Sequence, residues 1–305
     1  VFNPGNGYTK IAFEPIGGIQ ARKIRSGIAI ADDLSTESFT LHQLNDSGRR
    51  RTGYDYNPWI MFEQGDRPAQ IEQGKSIYAL QLLIGAAWDL IEDGCVIDLH
   101  LLVHAPAELK QALTQNLGRD HDCTHKGVRK RFTIEVGKIS KEGFGLAGVS
   151  PSQDILILDF GADTLIPTRW VNGQTSKDLI GNAITQYGTS GLIRRLCEYA
   201  PASIGPNPSE ANCIKAIEGN KLGSAADSVI AAFWCDAIGA VKRNNLELFS
   251  GVDEIYLAGG LARLKRFVAI AKADSLSPKI VPNAQLADVV GFYQMLKNAE
   301  KLNVG

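Results

Sequence analysis

The chain has 305 residues, of which 44% are hydrophobic and 21% charged, a composition that suits a globular protein with a sizeable core and excludes a disordered one. A formal net charge of -1 excludes a global field that would draw it to nucleic acid or a membrane surface. Its five cysteines (Cys95, Cys123, Cys197, Cys213 and Cys235) lack CxxC spacing, residues 78–91 are too short an apolar stretch to span a bilayer, and no basic-then-apolar leader opens the chain, so a soluble cytoplasmic protein is expected.

The chain opens with "VFNPGNGYTKIAF", two extended runs around a bare turn. Glycine and asparagine tolerate the positive φ of a hairpin turn. The same turn could equally present a nest of backbone N–H groups to phosphate, with Lys10 beside it. Up to about residue 73 the pattern stays β: "RKIRSGIAIA", "SFTLHQL" and "WIMFEQGD" are strand-like, with Gly, Asp, Asn and Pro clustered between them. Residues 75–94 have apolar positions at helical spacing and predict a helix that stops at Gly94. "VIDLHLLVHAP" predicts a buried strand, "AELKQALTQNLG" a helix, and "KRFTIEVGKISKEG" another strand.

A second cycle begins with strand, turn and strand in "DILILDFGADTLIPTRW". Helices are predicted over 177–200, 210–222 and 226–244, a strand over 254–260, a helix over 261–274 and a last helix over 286–302. "NPGNGYTKIAF" and "DFGADTLIPTRW" echo one another, each a strand, a Gly-containing turn and a second strand, followed later by helices and further strands. A repeat at half the chain length predicts two related domains facing one another across a cleft. A third element, "EIYLAGGLARL", is a buried strand that delivers two glycines to a helix start, where backbone N–H groups and the helix dipole favour anions.

This ordered set resembles the actin-like ATPase superfamily, and within it the ParM/StbA-type plasmid-segregation branch. "GNGYTK" resembles the first phosphate loop, "LLVHAPAELK" the strand and helix start after the first long helix, and "ISKEGFGLAG" the stretch bearing the catalytic glutamate. "LDFGADT" resembles the second phosphate loop, "YLAGGLARL" the adenosine loop and "NAQLADVVGFYQM" the final connecting helix. The resemblance covers nearly the whole chain. It implies an α/β, actin-like (ribonuclease H-like) fold, with domain I over 1–152 completed by a C-terminal helix at 286–305, and domain II over 153–285.

The resemblance also implies roles. Gly5, Asn6, Gly7, Tyr8 and Thr9 would form the first phosphate turn, with Lys10 close by. Gly161, Ala162 and Thr164 would close the second. Gly259, Gly260 and Leu261 would lie along the adenosine, and Gly291 would let the last helix approach the hinge. Glu142 would orient the attacking water, and Asp159 would bind Mg²⁺ through water together with Asn3. Phosphoryl transfer asks a protein chiefly for positioning and charge neutralisation, which these residue types supply. Asn3 departs from the aspartate usual in the family: it keeps an oxygen for magnesium-bound water but loses the charge, so weaker metal binding and slower or absent hydrolysis are expected.

Two other features compete for attention. "HDCTH" at 121–125 places His, Cys and His on one side of an extended chain, but no fourth zinc ligand is near and the stretch is turn-rich. The basic runs at 48–51 and 126–131 suit solvated loops, with an acidic partner as the alternative. The function implied is a Mg-dependent ATPase, using ATP or GTP, that forms head-to-tail filaments and reaches plasmid DNA through an adaptor protein, without direct nucleic-acid or membrane contact. The alternative is a non-hydrolysing nucleotide-binding regulator or scaffold of the same fold, and behind it a small-molecule kinase.

Overall fold

A computed structural model of the chain describes residues 1–4, 8–14, 18–25, 28–30, 38–41, 59–61, 78–103, 105–149, 154–172, 174, 181 and 183–303. By contact, the chain groups into two compact units, residues 1–142 and 143–305.

In the first unit the elements are β1 (Phe2–Pro4), β2 (Tyr8–Phe13), β3 (Gln20–Arg25), β4 (Ile28–Ile30), β5 (Ser38–Leu41), β6 (Trp59–Met61), α1 (Ala79–Ala87), β7 (Val96–Val103), α2 (Pro106–Leu117), β8 (Asp120–His125) and β9 (Val128–Lys141). Among the described residues the strands form one sheet in the order β3-β2-β1-β7-β9-β8-β5-β6-β4. Phe2, Ile11, Leu99, Leu101, Val103, Phe132 and Ile134 meet the apolar sides of α1 and α2 in a single core. Burial of that apolar face outweighs propensity in holding the short α1.

The second unit contains β10 (Ile155–Phe160), β11 (Thr164–Trp170), β12 (Ile184–Thr185), α3 (Thr189–Tyr199), α4 (Glu210–Glu218), α5 (Ala226–Asn244), β13 (Glu254–Gly259), α6 (Lys265–Ala273), β14 (Lys279–Ile280) and α7 (Ala287–Asn303). Its sheet runs β12-β11-β10-β13-β14. Along β10, Leu156, Leu158 and Phe160 join the core with α3, α5 and α6, while Ile155 and Ile157 pack with Trp170, Leu146 and Val281 on the other face. A strand covered on both sides needs no polar alternation, which is why "ILIL" is continuous.

The half-chain echo is a structural repeat. In the first unit β3-β2-β1-β7-β9 has two antiparallel pairings followed by two parallel ones. In the second, β12-β11-β10-β13-β14 has the same sequence of pairings. The first unit extends this five-strand pattern with β8, β5, β6 and β4.

Several local expectations need correction. The stretch 177–200 is not one helix: where described, it holds β12, a left-handed Gln186 (φ 72°) and only then α3, which starts after Gly188, where the chain packs against the backbone of Ala162 and Asp163. The helix expected at 75–94 is α1 followed by a 3-10 turn at Trp88–Leu90; residues 75–77 lie outside the described residues, and Gly94 (φ 79°) instead shapes the entry to β7. The helix expected from 261 is a 3-10 turn, Leu261–Arg263, separated from α6 by the extended Leu264. Residues 120–125, read as turn-rich, form β8, whose hairpin with β9 turns at left-handed Lys126 and Gly127.

Candidate functional site

In the second unit the expected site residues gather where β10 and β13 end side by side. Asp159 lies opposite Ala258, and Phe160 opposite Gly259, in the parallel ladder. Ligands of open α/β sheets bind beyond the carboxyl ends of such strands. Gly161 N–H donates to the Thr164 carbonyl at 2.8 Å, closing the turn that carries Gly161, Ala162 and Thr164, all half-buried. Gly259 has φ 80°, and a Cβ there would overlap both the Phe160 carbonyl oxygen and Asp159 Oδ1. Gly260 N–H donates to the Phe160 carbonyl at 2.7 Å, and Gly259 N–H to the Ala284 carbonyl at 2.9 Å. The bond from Gly260 to the Phe160 carbonyl joins the two Gly-containing turns through the backbone. Leu261 is fully buried, so its side chain serves the core and only its backbone borders the turn.

One residue of this cluster has no counterpart in the sequence reading. Thr189, the first residue of α3, donates to the Gly161 carbonyl through its backbone N–H at 3.0 Å and its hydroxyl at 3.1 Å. Ser190 N–H donates to the Ala162 carbonyl at 2.8 Å. A threonine opening a helix is a common cap, so nothing in its sequence context distinguished it.

In the first unit, β1 and β2 pair with Asn3 opposite Lys10 and Pro4 opposite Thr9. Asn3 is 3% exposed, and its Oδ1 has no hydrogen-bond partner among the described residues. A buried amide oxygen left without a donor costs about 1–3 kcal/mol unless something satisfies it. Thr9 is buried and Lys10 half-exposed, while Tyr8 begins β2 opposite Arg25. Gly5, Asn6 and Gly7 lie outside the described residues. Glu142 follows β9 and is half-buried, its N–H donating to the Val103 carbonyl at 3.0 Å at the carboxyl ends of β7 and β9.

In the second unit Asp159 supplies hard oxygen donors of the kind Mg²⁺ accepts, and in the first the orphaned Asn3 oxygen is an acceptor that a water could satisfy. The missing side chains at 259 and 260 let β13 end hard against Phe160, Asp159 and Thr189, at the carboxyl edge of the sheet where open α/β sheets bind ligands.

Gly291 sits on α7, where a Cβ would overlap the carbonyl oxygen of Gly145. The buried Asp288, one turn earlier, accepts hydrogen bonds from Gly143 N–H at 2.8 Å and Gly145 N–H at 2.7 Å.

The alternating side chains of β8 serve the core. His121 packs on Phe132, His125 on the edge of Trp88, and Cys123 is fully buried. His121 Nε2 donates to the Leu117 carbonyl at 2.8 Å, and burial holds this imidazole below its ordinary pKa. Burial likewise pushes the Cys123 thiol up to about 12. Among the described residues no cluster of His, Cys, Asp and Glu could hold a metal. On the opposite side of β8, the buried Asp122 is clamped by Arg129 and Arg131, so much of the basic run at 126–131 is spent inside the hairpin. The run at 48–51 lies outside the described residues, and no helix among them is long and apolar enough to cross a membrane.

No protein-family model matches the chain, and no curated protein matches its sequence. Solved structures do match. The archaeal actin homolog Ta0583 is similar with a TM-score of 0.71 and 16% identity, over 98% of this chain and 100% of that one. Apo pSK41 ParM is similar with a TM-score of 0.63 and 16% identity, over 98% and 97%. The AlfA filament bound to AMPPNP is similar with a TM-score of 0.59 and 15% identity, over 99% and 96%. Likeness at this identity, covering nearly the whole of each chain, establishes the fold: the chain has the actin-like two-domain fold.

Proposed function

We propose that this actin-fold chain is a nucleotide triphosphatase, using ATP or GTP with Mg²⁺, that assembles head to tail into filaments and moves plasmid DNA through an adaptor protein. The observation that carries the nucleotide-binding part is the junction of β10 and β13. There, Gly259 lies against the Asp159 carboxylate and Gly260 is held on the Phe160 carbonyl. Only glycine fits that approach, which sets the Asp159 carboxylate and the turn at 161–164 together at the carboxyl edge of the sheet, a placement that suits a phosphorylated ligand with a cation. The AlfA structure, a filament bound to AMPPNP, supports nucleotide binding and assembly together.

In this reading the backbone of residues 161–164 and of the opening turn receives the phosphates, with Lys10 neutralising their charge. Asp159 and Asn3 hold metal-bound water, and the bound Mg²⁺ offsets charge on the phosphate oxygens. Glu142 orients the attacking water. Head-to-tail contacts use two different surfaces of one chain, so they extend without closing.

The second reading, a nucleotide-binding scaffold without turnover, is favoured by one observation: the buried position at 3 holds an amide where a carboxylate would bind magnesium more strongly. Phosphate release from ATP and Mg²⁺ by the purified chain, measured beside Glu142→Ala, separates the two. Turnover in the parent that is lost in the variant, with nucleotide binding and light-scattering assembly kept, is the expected result. Equal turnover in both removes Glu142 from the mechanism, and bound nucleotide without turnover in the parent favours the scaffold.

A further inference from the structure

We infer that Thr189 is a positioning residue that ties the phosphate turn at 161–164 to the glycine pair at 259–260. This rests on the nucleotide-binding reading above and adds to it the residue that sets one turn against the other.

Four observations converge on this side chain. Its backbone N–H and its hydroxyl both reach the Gly161 carbonyl, at 3.0 and 3.1 Å, so one carbonyl of the turn is held from two directions. The residue before it, Gly188, is buried against Ala162 and Asp163 so closely that a Cβ would lie 2.5 Å from the Ala162 carbonyl oxygen. Ser190 N–H holds that same carbonyl. On the other side, a Cβ at Gly260 would lie 2.7 Å from Thr189 Oγ1, so the hydroxyl fills the space that the missing side chain leaves. Gly260 is itself bonded to the Phe160 carbonyl, one residue before the turn.

The geometry therefore gives the Thr189 hydroxyl two tasks. It fixes the direction of the Gly161 peptide, and with it the N–H groups presented by the following residues. It also sets how closely the glycine pair approaches that turn. α3 does not offer the N–H groups of Thr189 and Ser190 to a ligand, since both are already spent on the turn. The helix acts as a clamp behind the turn.

The test compares binding of ATP and of adenosine, each with Mg²⁺, to the full chain and to its Thr189→Val and Thr189→Ser forms by calorimetry, with thermal melts of each. Valine keeps the shape and removes the hydroxyl. We expect Thr189→Val to weaken ATP about three- to tenfold, the scale of one hydrogen bond. Adenosine should weaken less than twofold, on the same scale, and Thr189→Ser should restore ATP binding. If valine impairs folding, Thr189→Ala removes the same hydroxyl without bulk and is held to the same outcome. Unchanged ATP affinity, equal losses for ATP and adenosine, or failure of serine to rescue would each overturn the positioning role while leaving the nucleotide reading standing. A parent chain that binds neither ligand overturns the nucleotide reading, and this inference with it.

Discussion

Asp288 Oδ1 accepts the backbone N–H of Gly145 at 2.7 Å, and its other oxygen accepts that of Gly143 at 2.8 Å. The carboxylate is 4% exposed. It therefore fastens α7 to the 3-10 turn Phe144–Val149, and the close approach of Gly291 to Gly145 continues the same contact one turn later.

Removing this carboxylate should be costly. Asp288→Ala strands two buried N–H groups, and charge-assisted hydrogen bonds contribute about 1.5–3 kcal/mol each, so a loss of roughly 3–6 kcal/mol is expected. Asp288→Asn keeps one acceptor and should lose about half as much. Gly291→Ala drives a methyl into the Gly145 carbonyl and should cost more than about 3 kcal/mol, since that backbone cannot yield as a flexible side chain would. Urea melts of the three variants give the order.

Gly259→Ala should impair both stability and nucleotide binding. The left-handed backbone costs a non-glycine residue about 1–2 kcal/mol before any contact is counted. The added Cβ then overlaps Phe160 and Asp159, the residue assigned to the metal water. A lowered melting temperature, together with loss of the stabilisation that ATP and Mg²⁺ confer on the parent, is the expected result in a thermal-shift titration.

Asn3→Asp should have opposite effects with and without metal. Burying a carboxylate at a position that is 3% exposed penalises the charged form, so the variant melts lower than the parent in chelator. With nucleotide and Mg²⁺ the added charge has a partner, and apparent Mg²⁺ affinity should tighten about three- to tenfold. A magnesium titration of melting temperature reads both.

His121 should make the chain acid-sensitive. Burial lowers its pKa below the ordinary value, with the Leu117 carbonyl opposing in part. Near neutral pH the ring is unprotonated in both folded and unfolded chains and contributes no pH dependence. As pH falls through about 6.5, the unfolded chain takes up a proton that the buried ring refuses, and stability declines until the folded pKa is reached. His121→Phe, packed beside Phe132, should flatten the fall in urea midpoint between about pH 6.5 and 5 relative to the parent.

Much of the fold was legible because its signals are local. The apolar run of β10, the paired glycines at the end of β13 and each of the two hairpins that echo one another lie within about a dozen residues. Their order along the chain was enough to point to the actin-like fold. β8 was missed because its residues look polar one at a time: Asp122 is buried only because Arg129 and Arg131 fold back over it, and His121 and His125 only because Phe132 and Trp88 receive them. The interruption ahead of α3 was missed because the apolar residues of "DLIGNAIT" mimic helical spacing.

The candidate site divides in the same way. Gly161, Gly259 and Gly260 could be named from sequence, because a backbone that must turn tightly or approach another strand selects glycine wherever it occurs. Thr189 and Asp288 could not. Their partners lie 28 residues away at Gly161 and 143 away at Gly145, and a threonine or aspartate in a first helical turn carries no mark of what it will meet. The sequence by itself determined most of the segments that become strands, bare turns and helices, β8 and the break ahead of α3 apart, since hydrophobic period and backbone freedom are properties of neighbours along the chain. Only the tertiary structure decided that a hydroxyl on α3 clamps the Gly161 turn and that a carboxylate on α7 holds Gly143 and Gly145, because directional hydrogen bonds between distant segments exist only once packing has brought them within 3 Å or so.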